Sequence, residues 1–132
     1  MKVRTIGIPV LDQEKALKFY TEKLGFLKHK DIPVGENHRW LTVVSKEDPK
    51  GPEVLLEPSP NNIVPAKEYQ KALFRAGIPY TQFNVDDIKG EYERLMEEGV
   101  NFSMKPTDVG SALIAILDDT CGNHIQLVQM KN

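Results

Sequence analysis

The sequence lacks most of the features that assign a chain to a specialised class of protein. Its single cysteine among 132 residues excludes an internal disulfide and a cysteine-rich zinc site. A net charge of −2 provides no excess of positive charge for binding a nucleic-acid backbone. No apolar run approaches the roughly 20 residues that span a bilayer. We therefore expect a globular protein without a nucleic-acid or membrane partner.

The chain also shows no targeting segment at its start. Strand-like residues begin at Val3, where a cationic and apolar signal segment would otherwise stand. We therefore expect a cytoplasmic location.

What the sequence does contain is a repeated unit of strand, helix and strand. In the first copy Asp12 is placed to cap the helix and Gly25 to end it. In the second copy Asp86 or Asp87 and Gly99 occupy the corresponding places. Repeats of this size indicate that one supersecondary unit has been used twice. The pattern therefore predicts two like halves that enclose a space between them.

Each half has the order strand, helix, strand, strand, strand. The sequence predicts an α+β fold in which two βαβββ modules form mixed curved sheets around a shared cleft. We expect one domain over residues 1–132, with module one at about 1–60 and module two at about 78–130. A break at Pro58–Asn62 and a helix at 64–76 are expected to connect them.

The segment before the last strand of the first module is predicted to be irregular. Lys46–Pro52 contains two prolines and a glycine, which favours a polar loop. The strand that follows is then confined to Glu53–Glu57.

Alternation assigns each strand one face toward its helix and one face away from it. Ile6, Ile8 and Val10 form the helix-facing set in the first strand. The opposite set is unusually polar, and burying such groups without partners costs a few kcal/mol each. A water-filled cleft that admits a polar ligand removes this cost. The polar set consists of Thr5, Glu57, Tyr80, Gln82, Asn84, His124 and Gln126.

Three segments resemble the vicinal oxygen chelate superfamily of glyoxalases, extradiol dioxygenases, and fosfomycin- and bleomycin-resistance proteins. Val10–Phe26 is similar to its strand-to-helix signature, and Val85–Gly99 is similar to the second copy of that signature. Asp118–Leu127 resembles its closing turn and strand. The resemblance covers essentially the whole chain and implies a homodimer.

The same resemblance implies where a metal would bind, and the residues there are poor ligands. The implied positions hold Thr5, Tyr80, Gln126 and either Leu56 or Glu57, of which alternation favours Glu57. Zinc, nickel and iron prefer imidazole and carboxylate ligands. We therefore expect no family-style metal site and no cofactor. The alternative is an occupied divalent-metal site in which His124 serves as a substitute ligand.

Three functions remain open at this point. The first is a metal-independent protein that binds a small organic molecule in its cleft, with Trp40 supplying flat apolar surface. The second is a metal-dependent lyase, isomerase or dioxygenase acting on an oxygen-chelating substrate, with Glu57 as ligand or general base. The third is a vestigial cleft in a chain that acts through subunit contacts.

We favour the first function and assign no catalytic residue. The expected substrate-binding residues are Thr5, Trp40, Glu57, Tyr80, Gln82, His124 and Gln126. Candidate interface residues on the connecting helix are Tyr69, Leu73 and Phe74. His29 and His38 lie near a predicted hairpin and are expected to face solvent.

Overall fold

The chain folds into two compact units of the same topology. A computed structural model describes residues 1–58 and 63–132. The break predicted at Pro58–Asn62 lies outside the described residues, apart from Pro58 itself, which ends a strand. The first unit covers residues 1–67 and the second covers residues 68–132.

Eight strands and three helices make up the described chain. The first unit contains β1 (Thr5–Val10), α1 (Gln13–Lys18), β2 (Leu27–Pro33), β3 (Arg39–Ser45) and β4 (Asp48–Pro58). Helix α2 (Val64–Ala76) begins in the first unit and ends in the second, with the bounds that the sequence predicted. The second unit continues with β5 (Thr81–Asn84), α3 (Ile88–Glu97), β6 (Phe102–Asp108), β7 (Ala112–Asp118) and β8 (His124–Met130).

Each unit forms one four-stranded mixed sheet. The strand order is β1-β4-β3-β2 in the first sheet and β5-β8-β7-β6 in the second. In each sheet the first strand pairs in parallel with the last, and the other pairs are antiparallel. This arrangement confirms the predicted α+β class and the βαβββ order of both modules.

The residues that begin and end the two module helices behave as the repeat predicted. Asp12 and Asp87 each accept a hydrogen bond from a backbone N–H in the first turn, at 3.0 and 3.1 Å. Gly25 and Gly99 have φ angles of 88° and 84°, in the left-handed region that favours glycine. In the first module the helix continues as a π-helical turn at Phe19–Lys23, which the sequence pattern did not predict.

Buried apolar side chains fix α1 against the first sheet. Ile8, Val10 and Leu56 have no exposed surface. The Gln13 amide of α1 donates to the carbonyl oxygens of Arg39 and Leu56 at 2.7 and 2.8 Å, which ties the helix to β3 and β4. The helix therefore covers one face of the sheet and does not cover the opposite face.

The second sheet is packed against α3 in the same way. Ile88 and Leu95 of α3 are buried, as are Leu117 and Ile125 on the strands. The side chain of Gln129 accepts a hydrogen bond from the backbone N–H of Ile88 at 2.8 Å. Among the described residues no helix is both long and apolar enough to cross a membrane.

The prediction of a loop at Lys46–Pro52 was wrong. Only Lys46 and Glu47 form a turn, and β4 starts at Asp48. The register between β3 and β4 shifts between Val44 and Ser45. Proline is tolerated in a strand at such irregularities because no ladder hydrogen bond is lost there. The two prolines therefore mark an irregular stretch of a strand rather than its absence.

Candidate functional site

The candidate site in the first unit is the face of the sheet that points away from α1. We call it the distal face. The pairing of β1 with β4 and of β3 with β4 places alternate residues of three strands on this face. They are Thr5, Gly7 and Pro9 on β1, Trp40, Thr42 and Val44 on β3, and Glu53, Leu55 and Glu57 on β4.

The Glu57 carboxylate lies directly over the backbone of Gly7. A Cβ atom at Gly7 would stand 2.6 Å from Oε1 of Glu57 and 2.8 Å from its Cδ. The missing side chain of Gly7 therefore creates the space that this carboxylate occupies. Across residues 1–58 and 63–132, no hydrogen bond or ion pair to the Glu57 carboxylate is found. Trp40, on the same face, leaves 42% of its surface exposed.

A second carboxylate on the distal face has several partners. Glu53 accepts a hydrogen bond from the buried Thr42 hydroxyl at 2.8 Å. Its Oε1 atom is 2.6 Å from Nδ1 of His29, and its Oε2 atom is 3.4 Å from Nζ of Lys30. The Thr42 hydroxyl in turn accepts from the backbone N–H of Lys30 at 3.0 Å. Only 15% of the Glu53 side chain is exposed, whereas 44% of His29 is.

These contacts keep Glu53 ionised. The hydrogen bond with His29 is the largest influence lowering the pKa of Glu53 below its ordinary value. Partial burial opposes this effect, and the Thr42 hydroxyl and Lys30 ammonium add to it. The distal face therefore carries two carboxylates. Three neighbouring side chains hold Glu53 in place, whereas no such contacts hold Glu57 within the described residues.

The second sheet presents amides on its corresponding face. Gln82 of β5 pairs in register with Gln126 of β8, and Nε2 of Gln126 donates to Oε1 of Gln82 at 3.0 Å. Asn84 pairs with Val128 on the same face. Tyr80 lies just before β5 and donates its backbone N–H to the carbonyl of His124 at 2.8 Å.

His124 sits deeper than the other predicted site residues. Its side chain stacks on Phe74 of α2, with ring centroids 4.3 Å apart and an angle of 11° between the planes. Its Nδ1 atom is buried and has no hydrogen-bond partner within the described chain. Beside this stack Gln70 of α2 donates to Asn123 at 3.2 Å. Helix α2 thus packs on the start of β8 through Gln70 and Phe74, while Tyr69 faces outward.

The structure brings some of the predicted residues together within each unit. Thr5, Trp40 and Glu57 share the distal face of the first sheet, and Gln82 contacts Gln126 in the second. The prediction missed Glu53 and His29 as partners. Glu53 could have been found, because it alternates with Glu57 on one strand. His29 alternates with Leu27, which pairs with Val44 on this face. The place of Lys30, by contrast, depends on a shift in the β2–β3 register between Lys28 and Asp31, which has no sequence signature.

Comparison with known proteins identifies the family. Residues 2–127 match the Glyoxalase/Bleomycin resistance protein/Dioxygenase superfamily. The chain belongs to this superfamily. It is 54% identical over 129 residues to the uncharacterized protein YurT of Bacillus subtilis (strain 168), covering 98% of this chain and 99% of that protein.

Solved structures with a similar fold cover nearly the whole chain. UcmS2 is 33% identical, with a TM-score of 0.82 and 97% of both chains covered. TnmS3, an antibiotic binding protein from Streptomyces sp. CB03234, is 28% identical, with a TM-score of 0.74 and 99% and 97% of the two chains covered. These findings confirm the resemblance that the repeat and its turns indicated.

At the positions where the resemblance implies metal ligands, this chain has residues that are poor ligands for a transition metal. They are Thr5, Glu57, Tyr80 and Gln126, which offer one carboxylate and no imidazole. Over the described ranges no three His, Cys, Asp or Glu side chains are grouped as a metal site requires. One carboxylate with a hydroxyl, a phenol and an amide is a weak donor set for zinc, nickel or iron.

Proposed function

We propose that the chain binds a small organic molecule that carries an aromatic ring and a cationic or hydrogen-bond-donating group. The observation that carries this proposal is the Glu57 carboxylate, which lies over Gly7 on the face that exposes Trp40 and has no partner among residues 1–58 and 63–132. A carboxylate in this position favours a ligand ammonium or N–H donor. The indole supplies rigid apolar surface at little cost in conformational entropy.

The similarity to TnmS3 supports the class of ligand. That protein is described as an antibiotic binding protein, and antibiotics are small organic molecules. Thr5 shares the distal face, and Tyr80, Gln82, His124 and Gln126 remain the binding residues predicted for the second module. The fold alone does not determine the ligand, because one scaffold hosts many functions.

We propose that this binding needs no metal and no other cofactor. The argument is the donor set, in which one carboxylate stands among a hydroxyl, a phenol and an amide. The competing function, a metal-dependent lyase, isomerase or dioxygenase, requires several strong ligands around one ion. No residue of this chain has independent support for that role.

We also propose that the chain forms a homodimer through α2. Tyr69 is 60% exposed on this helix, and Leu73 on the same stripe is partly exposed. Phe74, predicted at the same interface, instead stacks on His124. A dimer mass in light scattering at micromolar concentration is expected, with a shift toward monomer in Tyr69→Lys. A monomer for the unaltered chain would contradict the proposal.

The ligand proposal can be tested by NMR titration with two matched probes. Naphthylmethylamine carries an ammonium group, and naphthylmethanol has the same ring with a neutral hydroxyl. Trp40 is the only tryptophan, so its indole N–H gives a single reporter signal on the distal face. We expect the amine to bind about tenfold more tightly than the alcohol, because a charged hydrogen bond contributes about 1.5 kcal/mol.

Two variants test whether Glu57 causes the preference for the amine, and a chelator tests whether binding needs a metal. Glu57→Gln should remove the preference for the amine, whereas Glu47→Gln, in the turn before β4, should leave it unchanged. A chelator should not change either affinity. Equal binding of both probes, or an affinity that falls with chelator and returns with a divalent metal, would contradict the proposal.

A further inference from the structure

An irregularity in β2 directs two consecutive side chains to one carboxylate. Adjacent residues of a regular strand point to opposite faces of the sheet. His29 and Lys30 are adjacent, yet both contact Glu53 on the distal face. The register between β2 and β3 shifts between Lys28 and Asp31, where these two residues lie. Bulges of this kind re-aim side chains and are common beside functional sites.

The partners of Glu53 determine which nitrogen of His29 carries the proton. An ionised carboxylate only accepts hydrogen bonds, so Nδ1 of His29 must donate to it across the 2.6 Å contact. In the neutral imidazole, Nε2 is then the acceptor. His29 is 44% exposed, so this outward acceptor is reachable by a ligand.

The contacts of Glu53 with His29 and Lys30 differ from an ordinary surface ion pair, because a buried hydroxyl group also holds the carboxylate. Exposed pairs contribute at most about 1 kcal/mol and need no further partner. Here the fully buried hydroxyl of Thr42 donates to Glu53 and accepts from the backbone of Lys30. The Glu53 carboxylate is thereby held by residues of both β3 and β2. Three of its roughly four acceptor sites have protein partners, and the partly exposed His29 lies beside them.

We propose that Nε2 of His29 is a ligand-binding acceptor for the hydroxyl group of a neutral aromatic molecule, with Glu53 as its positioning residue. This inference rests on the proposed function, in which an aromatic ligand occupies the distal face. Ile32, half exposed and paired with Trp40 across β2 and β3, supplies apolar surface on the same side of the strands. The ligand class is therefore an aromatic ring with a hydroxyl donor.

The test uses hydroxyquinoline and its methyl ether as probes. The two share one ring system, and the hydroxyl donor of the first is replaced by a methoxy group in the second. NMR titration of the full chain should show hydroxyquinoline binding about tenfold more tightly than the ether, as one hydrogen bond to an oriented acceptor contributes about 1 kcal/mol or slightly more. The signals of Trp40 and Ile32 should move on binding.

Three variants assign the preference to its residues. His29→Leu should abolish the tenfold preference, and Glu53→Gln should reduce it by loosening the imidazole. His38→Leu is the matched control, because His38 is an exposed histidine of the β2–β3 hairpin whose carbonyl accepts from the Val34 N–H and whose ring has no hydrogen bond within the described residues. It should leave the preference unchanged. Nitrogen chemical shifts of His29 should report a protonated Nδ1 in the unaltered chain, independently of any variant's folding.

The failure of this inference can be told apart from the failure of the proposed function. Equal affinity for hydroxyquinoline and its ether, together with the Glu57-dependent preference for naphthylmethylamine, would overturn the role of His29 alone. A proton on Nε2 of neutral His29 would do the same. Absence of binding by all four probes would overturn both.

Discussion

Replacing Gly7 by alanine should weaken binding of the amine ligand without harming the fold. The new Cβ would stand 2.6 Å from Oε1, 2.8 Å from Cδ and 3.2 Å from Oε2 of Glu57. Contacts under 3.0 Å do not occur for real Cβ atoms, so one group must move. Gly7 has no positive φ, and its backbone therefore accepts alanine. Glu57 is exposed, so its flexible end is what moves.

Gly7→Ala has two opposing effects on the free energy of unfolding, and they nearly cancel. A glycine-to-alanine change at a compatible position stabilises a protein by about 0.4–1 kcal/mol through the unfolded chain. Forcing Glu57 into a less favourable rotamer costs about 0.5–1.5 kcal/mol. We expect the free energy of unfolding to change by less than about 1 kcal/mol. The affinity for naphthylmethylamine should nevertheless fall about tenfold, to the value of Glu57→Gln, because the carboxylate has left its position.

Urea unfolding and NMR titration measure the two quantities separately. Gly51→Ala is a matched control, since its Cβ would overlap the Asp48 carboxylate in the same way on a different part of β4. Gly51→Ala should leave the affinity for the amine unchanged. The reasoning is refuted if Gly7→Ala keeps full affinity. It is equally refuted if this variant loses more than about 2 kcal/mol of stability, since Gly7 would then be required by the backbone.

Two further predictions concern stability. The pKa of Glu53 is lowered in the folded chain, so ionised Glu53 stabilises the fold. This contribution to the free energy of unfolding is complete above the ordinary pKa of 4.5 and is lost as the pH falls through the lower pKa of the folded chain. The unfolding free energy of Glu53→Gln should therefore depend less on pH than that of the unaltered chain below pH 4.5, and parallel curves would contradict this. The buried Asp119 accepts hydrogen bonds from Cys121 and Asn123 at 2.7–3.0 Å, so Asp119→Ala should cost at least about 3 kcal/mol in urea unfolding. Its neighbour Asp118 accepts one exposed bond, and Asp118→Ala should cost about 1 kcal/mol or less; equal losses would show that burial is not the cause.

Local chemistry made much of this fold predictable. An aspartate followed by an amphipathic stretch and a glycine specifies a helix with both its ends, which is why Asp12 and Asp87 could be placed from the sequence. Strict alternation specifies the face of each residue, so the contact between Gln82 and Gln126 follows once the strands are paired. The signals for these features lie within a few residues of each other.

Features that depend on pairing between distant segments could not be predicted. The prolines before Glu53 indicated a loop, but β4 extends through them because its partner strand shifts register there. The contact of Lys30 with Glu53 likewise arises from a shift in β2 that only the folded sheet reveals. A bulge changes which face a side chain occupies without changing the composition of the strand. Alternation in the sequence therefore located Glu57 but could not bring Lys30 to Glu53.

The two modules differ at one central strand position, and this difference makes the first module the better candidate for the site. Gly7 and Gln82 stand at the same distance before the aspartates that cap their helices. In the second module Gln82 fills this central position and bonds with Gln126, so both amides are partly satisfied. In the first module Gly7 leaves the position empty, and the Glu57 carboxylate enters it with no partner in the described part of the chain. An acceptor that the protein does not satisfy is available to a ligand, and the loss of one side chain from a repeated scaffold is sufficient to produce it.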